Sequence, residues 1–305
     1  MKNIKNNLKL SNLLLKSFNL LKKIQKEIQK DFQNFKFKEE IEFRFENESF
    51  KDSLKKNFFT LLMLSTFIEA EIKKERMVSY GKIIIYLRQI VTSTDNVIDN
   101  EKKGLIFIKS LKNDVVKNTF ITLFCQDALT KEALKVSGGD GLVSIKILEK
   151  IYSIAISESL RDISQYKEYP TSDYILKNIH SGIGGELLEI SLEIPKYIEE
   201  NSKMSRYSKG LYEIGMALQA LDDFFDVDED GEQGKINLLA SKILYEKQEI
   251  ETLKLAYLNE IIENSYIGFK TLEDSGFPIS KAGAKKVMEK LFELRGLKDY
   301  TYILK

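Results

Sequence analysis

Three aspartates close an otherwise apolar segment. In LYEIGMALQALDDFFDVDEDGEQGKIN, residues 211–237, Asp222 and Asp226 stand four apart, one turn from each other on the same helical face. Gln219 lies one turn before Asp222 on a similar face. Like charges at this spacing repel by roughly a few tenths of a kcal/mol in a bare helix. They also lie near the helix C-terminus, where the macrodipole disfavours anions. A divalent cation removes both objections. Hard carboxylate oxygens suit magnesium, which keeps several waters and joins one or two carboxylates to substrate phosphates.

A second cluster, Thr94-Asp95-Asn96-Val97-Ile98-Asp99-Asn100-Glu101-Lys102-Lys103-Gly104, repeats the pattern. Asp95 and Asp99 are again four apart at the end of an apolar run, and Lys102 and Lys103 follow as a cationic pair suited to an anionic phosphate. Two carboxylate pairs on separate helix ends, with lysines near, describe a site for a magnesium-bound diphosphate. Either pair alone is as well explained by a solvated helix end. A calcium loop is the competing metal reading, because Asp226-Val227-Asp228-Glu229-Asp230-Gly231 matches its first six positions. Position twelve, however, is Asn237 instead of glutamate, and position eight is Gln233 instead of an apolar residue.

Helices must carry these pairs. Helical periodicity predicts segments near 3–34, 48–75, 79–98, 104–136, 141–165, 172–194, 203–227, 236–267 and 280–295. Breaking residues fall between them: Ser137-Gly138-Gly139-Asp140-Gly141, Pro170, Pro195, Asp230 to Gly234, and Ser275-Gly276-Phe277-Pro278. No alternating strand of useful length and no linker-like stretch stands out. One all-α domain over 1–305 is expected, with an N-terminal amphipathic region at 1–47 and a catalytic bundle at 48–305.

Composition narrows the partners. The chain has 305 residues, with 47 Lys plus Arg against 46 Asp plus Glu, so it lacks the basic excess of a nucleic-acid binder. A single cysteine, Cys125, and a single histidine, His180, exclude an internal disulfide and a multi-His centre. Residues 1–26 carry seven lysines and no acid, with Leu10, Leu13, Leu14, Phe18, Leu21 and Ile24 on one face. That pattern reads first as a helix packing on the core. Peripheral membrane contact is the alternative. A cytoplasmic location is expected.

ALQALDDFFD followed by GKINLL resembles the second aspartate-rich motif of the trans-prenyl diphosphate synthases. In that family a phenylalanine-glutamine pair precedes the aspartates. TDNVIDNEKKG resembles their first motif, D-D-x-x-D ending in Arg-Arg-Gly, with Asn96 at the middle aspartate. YILKNIHSGIGGELLEIS resembles the helix that carries a lysine-threonine pair at a kink, with His180 and Ser181 at that pair. Order and spacing agree over roughly residues 50 to 245. The resemblance implies the isoprenoid synthase-type helical bundle around a central cavity, shared with class I terpene cyclases, and a homodimer. It implies three magnesium ions holding the diphosphate of a prenyl substrate, with Asp95, Asp99 and Asp222 as ligands and Asp226 and Gln219 in support. Lys102, Lys103, Lys235 and His180 become candidate diphosphate contacts. Phe224 and Phe225 are core residues first and cation stabilisers second.

The acceptor half departs from the family. Its Gly-Gly-Lys-x-x-Arg segment falls near Asp52 to Phe58 without the glycines or the arginine, and its histidine falls at Leu87, beside Arg88. Lys102-Lys103 replaces the arginine pair and loses the bidentate fork. The resemblance therefore ranks ionisation of an allylic diphosphate followed by cyclisation or elimination first. Condensation with isopentenyl diphosphate by a divergent chain-elongating prenyltransferase comes second. A non-catalytic partner or lipid-binding protein on the same fold comes third.

Overall fold

The computed structural model describes residues 2–45, 49–98, 102–199 and 201–294. Its elements follow in order: α1 (Lys2–Asp31), β1 (Ile41–Phe43), α2 (Phe50–Lys56), α3 (Phe58–Glu69), α4 (Lys74–Ile98), β2 (Ile106–Ile108), α5 (Asp114–Val136) and α6 (Leu142–Ser159). Then come α7 (Ser172–Ile175), a π-helical run (Leu176–Glu186), α8 (Leu187–Glu189), α9 (Glu193–Ile198), α10 (Ser202–Phe225), α11 (Val227–Glu232), α12 (Leu238–Tyr245), α13 (Ile250–Asp274) and α14 (Lys281–Leu294). The predominance of helix is as the periodicity predicts. Among the described residues, no helix is long and apolar enough to cross a membrane.

The helical backbone forms two compact units. The first comprises Ser11–Ile145 with Ile194–Glu200; the second comprises Met1–Leu10, Lys146–Glu193 and the chain from Asn201 onward. One crossing of the chain between the units falls inside α6.

In the first unit α4 packs along α5. Leu13, Phe18, Leu21 and Ile24 of α1 are buried, while Lys16, Lys22, Lys23 and Lys26 are exposed. Leu10 and Leu14, the other two residues of that apolar face, are half-buried. One expectation for this unit needs correction. Residues 104–113 do not start a helix: β2 pairs antiparallel with β1, Ile41 opposite Ile108 and Phe43 opposite Ile106. Three-residue strands are too short to show a period of two, which is why the pattern hides them. Cys125 is fully buried, and burial pushes its thiol up to about 12.

Lys82 of α4 is buried between two carboxylates, donating to Asp31 and, at 2.6 Å, to Glu132. Burial pushes Glu132 up, but its bonds to Lys82 and Ser79 more than offset this and hold it below the ordinary glutamate range. Burial likewise pushes Lys82 down, and its two acceptors more than restore it.

The second unit is built round α10, which packs on α13 and on the π-helical run. Glycines permit both crossings. A Cβ at Gly184 would lie 2.7 Å from the Gly215 carbonyl oxygen, and one at Gly210 would lie 3.1 Å from that of Gly268. Backbones therefore meet almost directly on two sides of α10. The predicted 236–267 helix is two helices, because Glu246 is extended and Glu249 caps α13 through Thr252. Pro195 does not end a helix; it sits in the first turn of α9, where its missing N–H is no loss.

Three outcomes are expected in denaturant melts. Gly215→Ala drives a methyl group onto the Gly184 carbonyl and costs about 1–3 kcal/mol. Gly141→Ala, which meets nothing within 4 Å, stays within about 0.5 kcal/mol of wild type. Lys82→Ala leaves the buried Glu132 carboxylate with Ser79 and with Lys135, the latter at 3.5 Å, and costs about 3–5 kcal/mol. Because Glu132 is depressed, its contribution in wild type is present above the ordinary glutamate range and is lost as pH falls through its lower folded value.

Candidate functional site

The last two turns of α10 carry Gln219, Asp222 and Asp223, and Asp226 caps the helix. The amide of Asp226 donates to the Asp222 carbonyl at 2.9 Å, so the turn is closed and the 222/226 pair sits one above the other. Both carboxylates are half-buried. Tyr257 of α13 donates its hydroxyl to the Ala220 carbonyl at 2.9 Å and stacks on Phe224, supporting the turn from the other side. Phe224 and Phe225 pack edge to face on each other.

Asp223 has a different fate. It is 2% exposed. One oxygen accepts from His180 Nε2 at 2.9 Å and from the Leu238 amide at 2.5 Å; the other accepts from Gln219 Nε2 at 3.0 Å. His180, expected as a phosphate contact, is instead buried beneath the acid pair with Nε2 committed to Asp223. Gln219, expected in support of the metal ligands, is likewise turned to Asp223. The histidine and Asp223 are 43 residues apart, and nothing in the spacing of the motifs announces the bond.

Asn237 completes the network. Its side-chain amide donates to the Asp223 carbonyl at 2.9 Å and to Asp230 Oδ2 at 2.8 Å, while its oxygen caps α12 by accepting from Ala240 N. Arg161 donates to Asp230 at 2.9 Å and pairs with Glu158 at 3.5 Å. Burial pushes the Asp230 carboxyl up, against the pull of Arg161 and Asn237. This disposes of a calcium loop: residues 227–232 are helical, Asp230 is taken by Arg161 and Asn237, and Asn237 is a helix cap. Lys235 lies in the same loop, its amide on the Asp230 carbonyl and its backbone bridged to Asp162.

The first acidic cluster belongs to the other unit. Asp95 is exposed on the last turns of α4. Asp99 lies outside the described residues, as do Asn100 and Glu101. Asn96 is buried and grips the following loop at both backbone atoms of Lys103: it accepts from the amide at 3.0 Å and donates to the carbonyl at 2.7 Å. The same amide group donates to Asn118 at 3.1 Å. Gln89 accepts from the Leu105 and Ile106 amides, and Gly104, at φ +134, leaves room for its side chain. An ionised aspartate at position 96 could accept from the Lys103 amide but could not donate to the Lys103 carbonyl, as the Asn96 amide does. Lys102 is exposed and pairs with Asp114 at 3.3 Å; Lys103 is exposed. Lys102 and Lys117 together hold the Asp114 carboxyl below its ordinary range.

Arg88 is a residue the motifs pointed near without reaching. Its guanidinium donates to Asn57 Oδ1 at 2.6 Å and to the Lys56 carbonyl at 3.5 Å. It thereby stands against the segment aligned with the family's acceptor motif.

Among the described residues no three His, Cys, Asp or Glu side chains assemble as a ready-made metal group. Magnesium carried with a phosphate substrate asks for less: one or two carboxylates with water and phosphate oxygens making up the rest. The half-buried Asp222/Asp226 pair supplies such a donor set.

The fold is the all-α isoprenoid synthase-type helical fold. The chain is similar in structure to a geranyltranstransferase from Thermotoga maritima, with a TM-score of 0.56 and 13% identity, over 94% of this chain and 98% of that one. It is similar also to a geranylgeranyl pyrophosphate synthetase from the archaeon Geoglobus acetivorans, with a TM-score of 0.53 and 13% identity, over 94% and 98%. No family model matches the chain, and no curated protein matches it in sequence.

Asn96→Asp is expected to lose the donor to Lys103 and Asn118 and to face their oxygens with a charge. The cost is about 1–3 kcal/mol, read in urea melts, with faster hydrogen exchange at the Lys103 amide.

Proposed function

We propose that this chain is a magnesium-dependent prenyltransferase that condenses an allylic prenyl diphosphate with isopentenyl diphosphate. The observation that carries the reading is the fold likeness, over nearly the whole chain, to two proteins named as prenyl-diphosphate-forming enzymes. The acid pair at the end of α10 agrees with it. The motifs alone rank cyclisation or elimination first, because the Gly-Gly-Lys-x-x-Arg segment is missing. The named neighbours reverse that order. So does Arg88, whose position against Lys56 and Asn57 offers a cation to a second diphosphate where the segment itself has lost its arginine.

In this reading Asp222 and Asp226 would hold magnesium that accompanies the allylic diphosphate, and metal ligation remains the sequence-based expectation for Asp95 and Asp99. When bound there, magnesium would supply charge neutralisation of the diphosphate leaving group. Lys235, in the loop after α10, would add positive charge toward that diphosphate, and diphosphate contact remains the sequence-based expectation for Lys102 and Lys103. An apolar enclosure would be needed to keep water from the allylic cation until the double bond of the acceptor attacks it. Loss of a proton then leaves a chain one five-carbon unit longer. His180 has no phosphate to meet and acts only from below.

Purified protein incubated with magnesium and geranyl, farnesyl or geranylgeranyl diphosphate, with and without isopentenyl diphosphate, is to be read by mass spectrometry and diphosphate release. Longer prenyl diphosphates only when the acceptor is present are the expected result. Hydrocarbon or alcohol products without acceptor return the reading to a terpene synthase. No diphosphate release with any substrate leaves a non-catalytic protein on this fold. Asp222→Ala and Asp95→Ala are each expected to lower turnover at least about 100-fold while leaving the helical spectrum unchanged.

A further inference from the structure

We infer that His180 and Asp223 are a positioning pair that sets the metal affinity of the acid pair above them without touching metal or substrate. The inference rests on the reading of Asp222 and Asp226 as ligands of a metal–diphosphate.

Asp223 is adjacent in sequence to Asp222, yet its carboxylate is shut away from solvent and already accepts three N–H groups. An ionised carboxylate offers about four lone-pair sites, so little capacity is left for a metal. What it does instead is join three elements. Through His180 it holds the π-helical run, through Gln219 the preceding turn of α10, and through Leu238 N the start of α12. Asn237 then ties the Asp223 carbonyl to Asp230, and Tyr169 takes the Asn237 amide at 2.8 Å. The rotation of the last turn of α10 is therefore set from beneath, and Asp222 and Asp226 ride on that turn.

His180 is the part of this arrangement that can be removed cleanly. It is 1% exposed, its Nε2 faces the Asp223 carboxylate, and its buried Nδ1 has no hydrogen-bond partner. Because the acceptor is a carboxylate, the proton sits on Nε2 and the ring acts as a single fixed donor. Deleting a group hydrogen-bonded directly to a metal ligand typically costs about 10- to 100-fold in affinity, and His180 acts one step further out, through Asp223 and the turn it shares with Asp222 and Asp226.

Mn2+ binding in the presence of inorganic diphosphate, followed by electron paramagnetic resonance, reads the site without turnover. Wild type is expected to bind. His180→Ala is expected to weaken Mn2+ binding about 10-fold, the lower end of that range, with its helical spectrum intact. His180→Gln, whose side-chain amide can donate to the same oxygen, is expected to recover most of the loss. Unchanged Mn2+ affinity in folded His180→Ala, even with a lowered melting temperature, overturns the inference, as does a glutamine variant as weak as the alanine one. Should His180→Ala not fold, His180→Asn, polar but too short to reach Asp223, takes its place with the same two outcomes. Absence of Mn2+ binding by wild type is a separate result, and it overturns the metal reading itself.

Discussion

A carboxylate buried in protein is costly unless donors surround it, and Asp223 is such a carboxylate. Its burial obliges His180, Gln219 and the start of α12 to converge on one point. That obligation organises the end of α10 more firmly than apolar packing could, because hydrogen bonds fix direction whereas hydrophobic contact does not. The neighbouring acids inherit the order. Asp222 and Asp226 can stay half-buried at the edge because the acid between them meets the demand of the interior.

The same helix is seated by its backbone. At Gly210 and Gly215 it lies within reach of the carbonyls of Gly268 and Gly184, so no side chain cushions either crossing. A helix held this way cannot roll without collision. The π-helical run contributes by widening its turns, which brings Ile179, His180 and Ile183 inward together. Rigid seating and a buried acid are what a site needs if its ligands must be in place before the substrate arrives.

The helices were legible because apolar residues recur at helical spacing through most of the chain, and the acid pairs because charge on an apolar run is conspicuous. What lay hidden depends on partners distant in sequence or on very short elements. Nothing near Ile41 or Ile108 marks a strand, since three residues carry no period. The break at 246–249 has no glycine or proline; it is made by Glu249 capping α13. Asn96 looked like a worn aspartate until its two-sided grip on Lys103 was visible. Position 180 invited comparison with a phosphate-binding lysine, yet its environment is an aspartate 43 residues away. Pattern identifies residue types and spacing; it does not say which way a side chain faces.

Cys125 draws a practical consequence from the core of the first unit. With no exposed surface and a thiol that stays protonated to about 12, it is closed to reagents that attack thiolates. Alkylation of this chain therefore counts openings of its interior, one thiol per molecule, with no competing background from a second cysteine.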